Sequence, residues 1–154
     1  MLAKDIMSKN VITVRENTDI KEIISLLLKH RISAVAVVDE KNHLLGVVSE
    51  GDLLYKKRLP TSIDWVQNYG GYYYVRPEQL LEEHRKMEGS TAKEIMTAVP
   101  ICVNEDTPVS EIATLMLKRG IKRVFVLREN KLVGVVSRGD ILKEIISEMN
   151  KKEE

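Results

Sequence analysis

A single cysteine, Cys102, is all this 154-residue sequence holds, so no internal disulfide can form. Its place in an apolar, strand-like run marks it as a small core residue of a reduced, cytoplasmic protein. Long apolar runs are missing too. None approaches the roughly 18 residues of a membrane span, and Met1-Leu2-Ala3-Lys4-Asp5-Ile6-Met7 lacks the basic-then-apolar order of a secretory signal. Charge of one sign is absent: 24 basic residues face 23 acidic ones, a net of +1, so no global field draws the chain to nucleic acid or an anionic membrane. His30, His43 and His84 have no metal-ligand spacing to one another or to Cys102, and no metal site is expected. Walker loops, nucleophile elbows and dinucleotide fingerprints are also lacking. Ser49 and Ser137 have no histidine placed in sequence as an activating base. The carboxylates sit beside lysines, as in Lys21-Glu22 and Lys143-Glu144, in the manner of solvated helix faces. These absences argue against an enzyme.

What the chain does have is an internal duplication. Ala3-Lys4-Asp5-Ile6-Met7-Ser8 aligns with Ala92-Lys93-Glu94-Ile95-Met96-Thr97. The register holds through Val14/Val103, Glu16/Glu105, Thr18/Thr107, Leu26/Leu115 and Val37/Val126, then loses one residue near Asn42. Two similar units related by a pseudo-two-fold axis follow, each too small to be stable alone.

Within the first copy, a lead-in over Lys4 to Met7 precedes an extended segment from Val11 to Val14. Asn17-Thr18-Asp19 announces a helix from Ile20 to about His30, with Ile20, Ile23, Ile24, Leu27 and Leu28 at helical spacing. Ala34 to Val38 reads as a buried strand, Asp39 to His43 as a turn, Leu44 to Val48 as a strand, and Gly51 toward Arg58 as a second helix. The second copy predicts strand Ile101 to Val103, helix Val109 to Lys118, strands Arg123 to Leu127 and Leu132 to Val136, and helix Gly139 to Met149. The fold class is α/β (α+β), with two β-α-β-β-α motifs packed through their sheets. The boundaries are 1–58, an inter-motif segment 59–90, 91–150, and a tail 151–154.

Both copies end alike. Gly46-Val47-Val48-Ser49-Glu50-Gly51-Asp52 returns as Gly134-Val135-Val136-Ser137-Arg138-Gly139-Asp140. A strand ends and a helix starts, with Ser as N-cap and Asp three residues later. One reading is a capping box. The other is a binding site, because a helix N-terminus offers bare N–H donors and a carboxylate there can accept hydrogen bonds from two ribose hydroxyls. The two readings are compatible.

The segment between the copies departs from the repeat. It carries Trp65 and Tyr69, Tyr72, Tyr73 and Tyr74, four of the five tyrosines in a chain with 5% aromatics. Ser62 to Val66 suits a short helix stopped by Gly70-Gly71, Tyr72 to Val75 a short strand, and Pro77 to Met87 a helix with Pro at its first position. Leu80, Leu81, His84 and Met87 give that helix a semi-apolar packing face. The rings form either a satellite core or dimer patch, or a surface stacking on a bound base.

The Asp-Ile-Met-Ser/Thr opening, the strand-turn-strand and the terminal Gly-Val-Val-Ser-x-Gly-Asp, occurring twice in order, resemble a tandem pair of cystathionine-β-synthase (CBS) domains, a Bateman module. The resemblance spans Ala3 to about Met149 apart from the middle segment. It implies a stand-alone regulatory module, a homodimer, binding an adenine nucleotide or S-adenosylmethionine between the motifs and acting through an effector protein, with no catalytic cofactor. Family roles carried over place the ribose on Asp52 and Asp140 and phosphate near Ser49 and Ser137. The adenine pocket falls to Val11, Ile12, Thr13 and Val14, and to Pro100, Ile101 and Cys102. Lys122 and Arg123, where the first copy has Ser33 and Ala34, correspond to a basic pair that in nucleotide-binding relatives reaches phosphate on a ligand whose ribose is held by the other motif's Asp. The resemblance thus implies one cleft joining them to Asp52 and Ser49 that prefers phosphorylated adenosines, and a second, with Asp140, Ser137, Ser33 and Ala34, that is weaker or prefers an uncharged tail. Two other readings stand beside this one: a nucleic-acid-binding module using the aromatic and basic residues from Lys56 to Arg76, and a purely structural dimerisation module.

Overall fold

A computed structural model describes residues 1–57, 65–68, 71–74 and 77–152. In chain order these form α1 (Ala3–Ile6), β1 (Thr13–Val14), α2 (Ile20–His30), β2 (Ala34–Val38), β3 (Leu44–Ser49) and α3 (Glu50–Leu54), followed by a 3-10 turn (Tyr55–Lys57). Next come β4 (Trp65–Asn68), β5 (Gly71–Tyr74), α4 (Pro77–Glu88), α5 (Ala92–Ile95) and β6 (Thr97–Ala98). The chain continues with β7 (Cys102–Asn104), α6 (Val109–Arg119), β8 (Arg123–Arg128), β9 (Lys131–Ser137) and α7 (Arg138–Lys152). No helix among the described residues is long and apolar enough to cross a membrane.

Two compact units result, and each borrows the opening segment of the other repeat. One comprises Val14–Val37 and Gly46–Ala98; the other comprises Met1–Thr13, Val38–Leu45 and Val99–Glu154. In the unit that carries Asp140, the first repeat's α1 docks through Ala3 N–H to Thr107 O (2.8 Å) and Lys4 N–H to Glu105 O (2.9 Å). In the unit that carries Asp52, the second repeat's α5 docks in the same way, through Ala92 N–H to Thr18 O and Lys93 N–H to Glu16 O, both 2.9 Å. Helices of four residues are too short to persist alone. Their free N–H groups are satisfied by a neighbouring turn, so each lead-in is ordered by what it docks on.

In the Asp52 unit the sheet runs β1-β2-β3-β6. Every residue of β2 is buried, as its unbroken apolar run requires. The α2 helix packs Ile20, Ile23 and Leu27 inward, is capped by Asp19 accepting from Lys21 N–H (2.7 Å), and ends at Arg31 in the left-handed region (φ 50°). Ile24 and Leu28, which share its apolar pattern, are exposed. In the Asp140 unit β7 pairs parallel with β8, and β8 antiparallel with β9. Its core joins Ala3 of α1, Ile112 and Met116 of α6, Val124, Val126 and Val136 of the strands, and Ile141 of α7. The tip of the β2–β3 hairpin is tied into this unit: Asn42 Nδ2 donates to Leu132 O (2.7 Å) and Leu132 N–H returns to Asn42 O (3.0 Å).

Four expectations are corrected. Trp65 and Val66 lie in a strand, not a helix. Aromatic and β-branched residues suit a pleated pair, and β4 pairs antiparallel with β5 from Trp65↔Tyr74 to Asn68↔Gly71. Ser62 to Asp64, Tyr69, Gly70 and Val75 lie outside the described residues, as does Arg58, toward which the second helix was expected to run. That helix ends at Leu54 and tightens into the 3-10 turn. Cys102 is exposed rather than in the core, because β7 alternates and Val103 takes the inner face. Most informative is α4. Of the expected packing face, Leu81, His84 and Met87 are exposed and the Leu80 side chain lies outside the described residues, while Glu83 and Lys86 are buried.

Candidate functional site

The two Ser-x-Gly-Asp turns are built alike. Strand β3 ends at Ser49 in extended geometry (φ −105°, ψ 166°), and the helix that follows needs partners for its first N–H groups. Asp52 N–H donates to Ser49 Oγ (3.3 Å), while Ser49 N–H (2.8 Å) and Ser49 Oγ–H (3.1 Å) both donate to Asp52 Oδ2. At the second turn Asp140 N–H donates to Ser137 Oγ (3.3 Å), and Ser137 N–H and Oγ–H each reach Asp140 Oδ2 at 2.8 Å. The capping box is therefore present twice, with a shorter carboxylate standing in for glutamate. It consumes Oδ2 and leaves Oδ1 to be satisfied by something else. A Cβ on Gly51 or Gly139 would meet only its own serine hydroxyl, at 3.5 and 3.6 Å, so protein does not crowd the turn on that side.

At Oδ1 the two sites differ. Asp52 is buried, and its Oδ1 forms an ion pair with Lys86 Nζ and accepts from Thr97 Oγ1 (3.2 Å). Lys86 also donates to Thr97 Oγ1 (3.1 Å) and lies over the Tyr55 ring, 5.9 Å from its centroid. A cavity of about 710 Å³ adjoins the group, lined among others by Ser49, Asp52, Tyr55, Lys57 and Lys86. At Asp140, Oδ1 lies 4.0 Å from Lys143 Nζ, on a side chain that is 83% exposed.

Lys122 and Arg123 sit beside the Asp140 turn of their own repeat. The Lys122 carbonyl accepts from Arg138 N–H (3.1 Å), and Arg123 is the register partner of Ser137. Ser33 holds the equivalent backbone place beside Glu50 N–H (2.9 Å). Lys122 is exposed and lines a cavity of about 700 Å³ with Arg138, Gly139 and Ile141, among others. Pro100, Ile101, Cys102, Val11, Ile12 and Thr13 belong to the same unit and are exposed or half-buried; Val14 is buried in the other.

Sequence reasoning missed Lys86, Thr97 and Tyr55. The signal for Thr97 was available, since both lead-ins carry a hydroxyl after Ile-Met (Ser8 and Thr97). Each of these two residues pairs through its backbone with the strand entering a Ser-x-Gly-Asp turn, Thr97 with Val47 and Ser8 with Val135. Lys86 had no such signal, because α4 belongs to the unrepeated segment.

The family model of the CBS domain matches residues 3–58 and again 92–147. The chain belongs to the CBS-domain family. As a CBS pair it is 30% identical to the uncharacterized protein MJ1426 of Methanocaldococcus jannaschii, over 95% of this chain and 92% of that one. Other curated relatives are longer, and this pair spans 22% to 59% of the length of four of them. Among solved structures it resembles the CBS domain pair of protein MJ0100 in complex with 5′-methylthioadenosine and S-adenosyl-L-methionine. That likeness has a TM-score of 0.67 and 28% identity, covering 96% of this chain and 98% of that one. It also shares its fold with CBSX2 in complex with AMP, at a TM-score of 0.81 and 24% identity, covering 95% and 97%.

Proposed function

We propose that this CBS pair is a regulatory, non-catalytic module that binds an adenosine-containing ligand through a Ser-x-Gly-Asp turn. The carrying observation is the Asp140 carboxylate. Its Oδ2 is fixed by Ser137, which orients the group, while no hydrogen-bond donor among the described residues reaches Oδ1. A carboxylate pre-oriented in this way suits two adjacent hydroxyls, and charge-assisted bonds of that kind are the stronger ones. The ligands in the MJ0100 pair support the adenosyl class. Lys122 and Arg123, where β8 begins beside Ser137, would favour a ligand with an anionic or polar tail. The nucleic-acid reading gains nothing from the structure.

The output passes through a partner. An exposed apolar stripe on α7, formed by Leu142, Ile145, Ile146 and Met149 at helical spacing, supports homodimerisation as one route to it. A cytoplasmic setting fits a chain with one free thiol.

Thermal melting against 5′-methylthioadenosine, S-adenosylmethionine, AMP and CMP tests the reading. Ligand at a hundred times its dissociation constant adds about 2.7 kcal/mol, and the adenosyl compounds should raise the melting temperature far more than CMP. Flat curves across the panel would refute it.

A further inference from the structure

The asymmetry at Oδ1 carries a consequence for how many ligands the chain holds. An ionised carboxylate offers about four lone-pair sites. At Asp52 all four are taken by protein: Ser49 N–H and Oγ–H on Oδ2, Lys86 Nζ and Thr97 Oγ1 on Oδ1. At Asp140, among the described residues, two are taken and two are left. Resting on the adenosyl-ligand reading, we infer that Lys86 is a built-in occupant of the Asp52 acceptor. It closes that turn to a ribose diol, makes Asp140 the working site, and sets the capacity of each chain at one ligand.

Lys86 is not a wandering surface side chain that a ligand could push aside. Lys86 is 7% exposed and Asp52 5%. An ammonium moved off its carboxylate inside the fold leaves two uncompensated buried charges, which a neutral diol cannot offset. The end of α4 that bears it is strapped on both sides. From the 3-10 turn after the Asp52 motif, Lys56 Nζ donates to Met87 O (3.1 Å) and Gly89 O (2.6 Å). From α4 itself, Arg85 donates to Glu94 O (2.5 Å) and Met96 O (3.1 Å), on the α5–β6 lead-in. Three cations in or facing one helical turn are thus spent on holding the helix against the motif. This explains why α4 buries its charged face and exposes Leu81.

Calorimetric titration with 5′-methylthioadenosine, a neutral probe indifferent to the loss of a lysine charge as such, tests the inference. Wild type should bind one ligand per chain, D140N none, K86M two, and K86M/D140N one. K86A, which removes the occupant and leaves room for water to solvate Asp52, serves if K86M does not fold. In parallel, Lys86 of the wild-type protein should resist acetic anhydride equally with and without saturating ligand, while exposed Lys143 is acetylated. Two ligands on the wild type, or a Lys86 that becomes reactive on binding, would overturn the inference. So would a single D140N-sensitive site that K86M and K86A leave unchanged, an outcome that keeps the adenosyl reading. Absence of binding in every variant would bring down that reading and the inference together.

Discussion

Met96 lies over Gly46: a Cβ built on the glycine would stand 2.6 Å from the Met96 Sδ and 2.9 Å from the Thr97 carbonyl oxygen. In the other unit Met7 covers Gly134 in the same way. The methionine of each lead-in therefore fills the space that a missing side chain leaves on the strand it docks against. Neither glycine is in the left-handed region, so close approach, not conformational freedom, selects glycine there.

Overpacking at such a position costs about 1 to 3 kcal/mol. The nearest atoms to a Cβ at Gly134 belong to the Met7 side chain, whose Cγ and Sδ can swing, whereas at Gly46 they include a backbone oxygen. G46A should therefore be the more destabilised variant, read from urea unfolding midpoints, and M96A should restore part of the loss by vacating its share of the space. Equal midpoints for G46A and G134A would contradict this packing.

The paired aspartates should separate in stability. D140A removes a helix cap, worth about 0.5 to 2 kcal/mol. D52A removes a cap and strands Lys86, and breaking a buried pair by deleting one partner costs roughly 3 to 5 kcal/mol. In D52A/K86M the stranded charge is gone, so the double variant should be more stable than D52A alone. If D52A and D140A unfold at the same urea concentration, the Lys86 pair contributes nothing.

Much of the fold could be read from residue order because the duplication shows every local signal twice. Asp19 before Ile20, the unbroken Ala34 to Val38 run and the two Ser-x-Gly-Asp turns each form what their patterns predict. The exchange of lead-ins could not be read. Repetition reveals that Met7 and Met96 are equivalent, but not that each serves the opposite repeat's strand. The middle segment misled for a different reason. A helix with Leu81 and Met87 on one face obeys the usual apolar logic, and only the tertiary demand of Asp52 for a cation turns Lys86 inward. Trp65 and Val66 were misjudged because four or five residues cannot separate a helix turn from a strand by period.

Val99 is a β-branched residue in the left-handed region (φ 52°) and is 90% exposed. A branched Cβ crowds the backbone there, at a cost of about 1 to 2 kcal/mol relative to the right-handed form. No burial repays that cost. V99G should stabilise the protein by about 0.5 to 1 kcal/mol after the extra entropy of glycine in the unfolded chain is subtracted. A lower melting temperature for V99G than for wild type would mean that the valine side chain makes a contact worth more than the strain.

Acid sensitivity should trace in part to Glu105. Its carboxylate receives Arg128 Nε on Oε1 and Arg128 Nη2 on Oε2, both at 2.5 Å, while its backbone carbonyl holds Lys4 N–H of the docked α1. The hydrogen bonds from Arg128, and then its charge, hold the Glu105 carboxyl below the ordinary value of 4.5. Asp39 is lowered too, chiefly by the His43 backbone N–H. A carboxylate whose folded value lies below its unfolded one stabilises the fold above the unfolded value, and that contribution fades as pH falls through the folded value. Glu144 has the opposite sign, raised by its hydrogen bond with Glu148, so it favours the fold at low pH and loses that contribution as pH rises. Wild-type unfolding midpoints in urea should therefore drop as pH is lowered from about 6 toward 3, with Glu105 among the causes. E105Q, which cannot titrate, should start lower at neutral pH and lose less on acidification. If both proteins show the same fall, the Arg128 pair does not carry this part of the pH dependence.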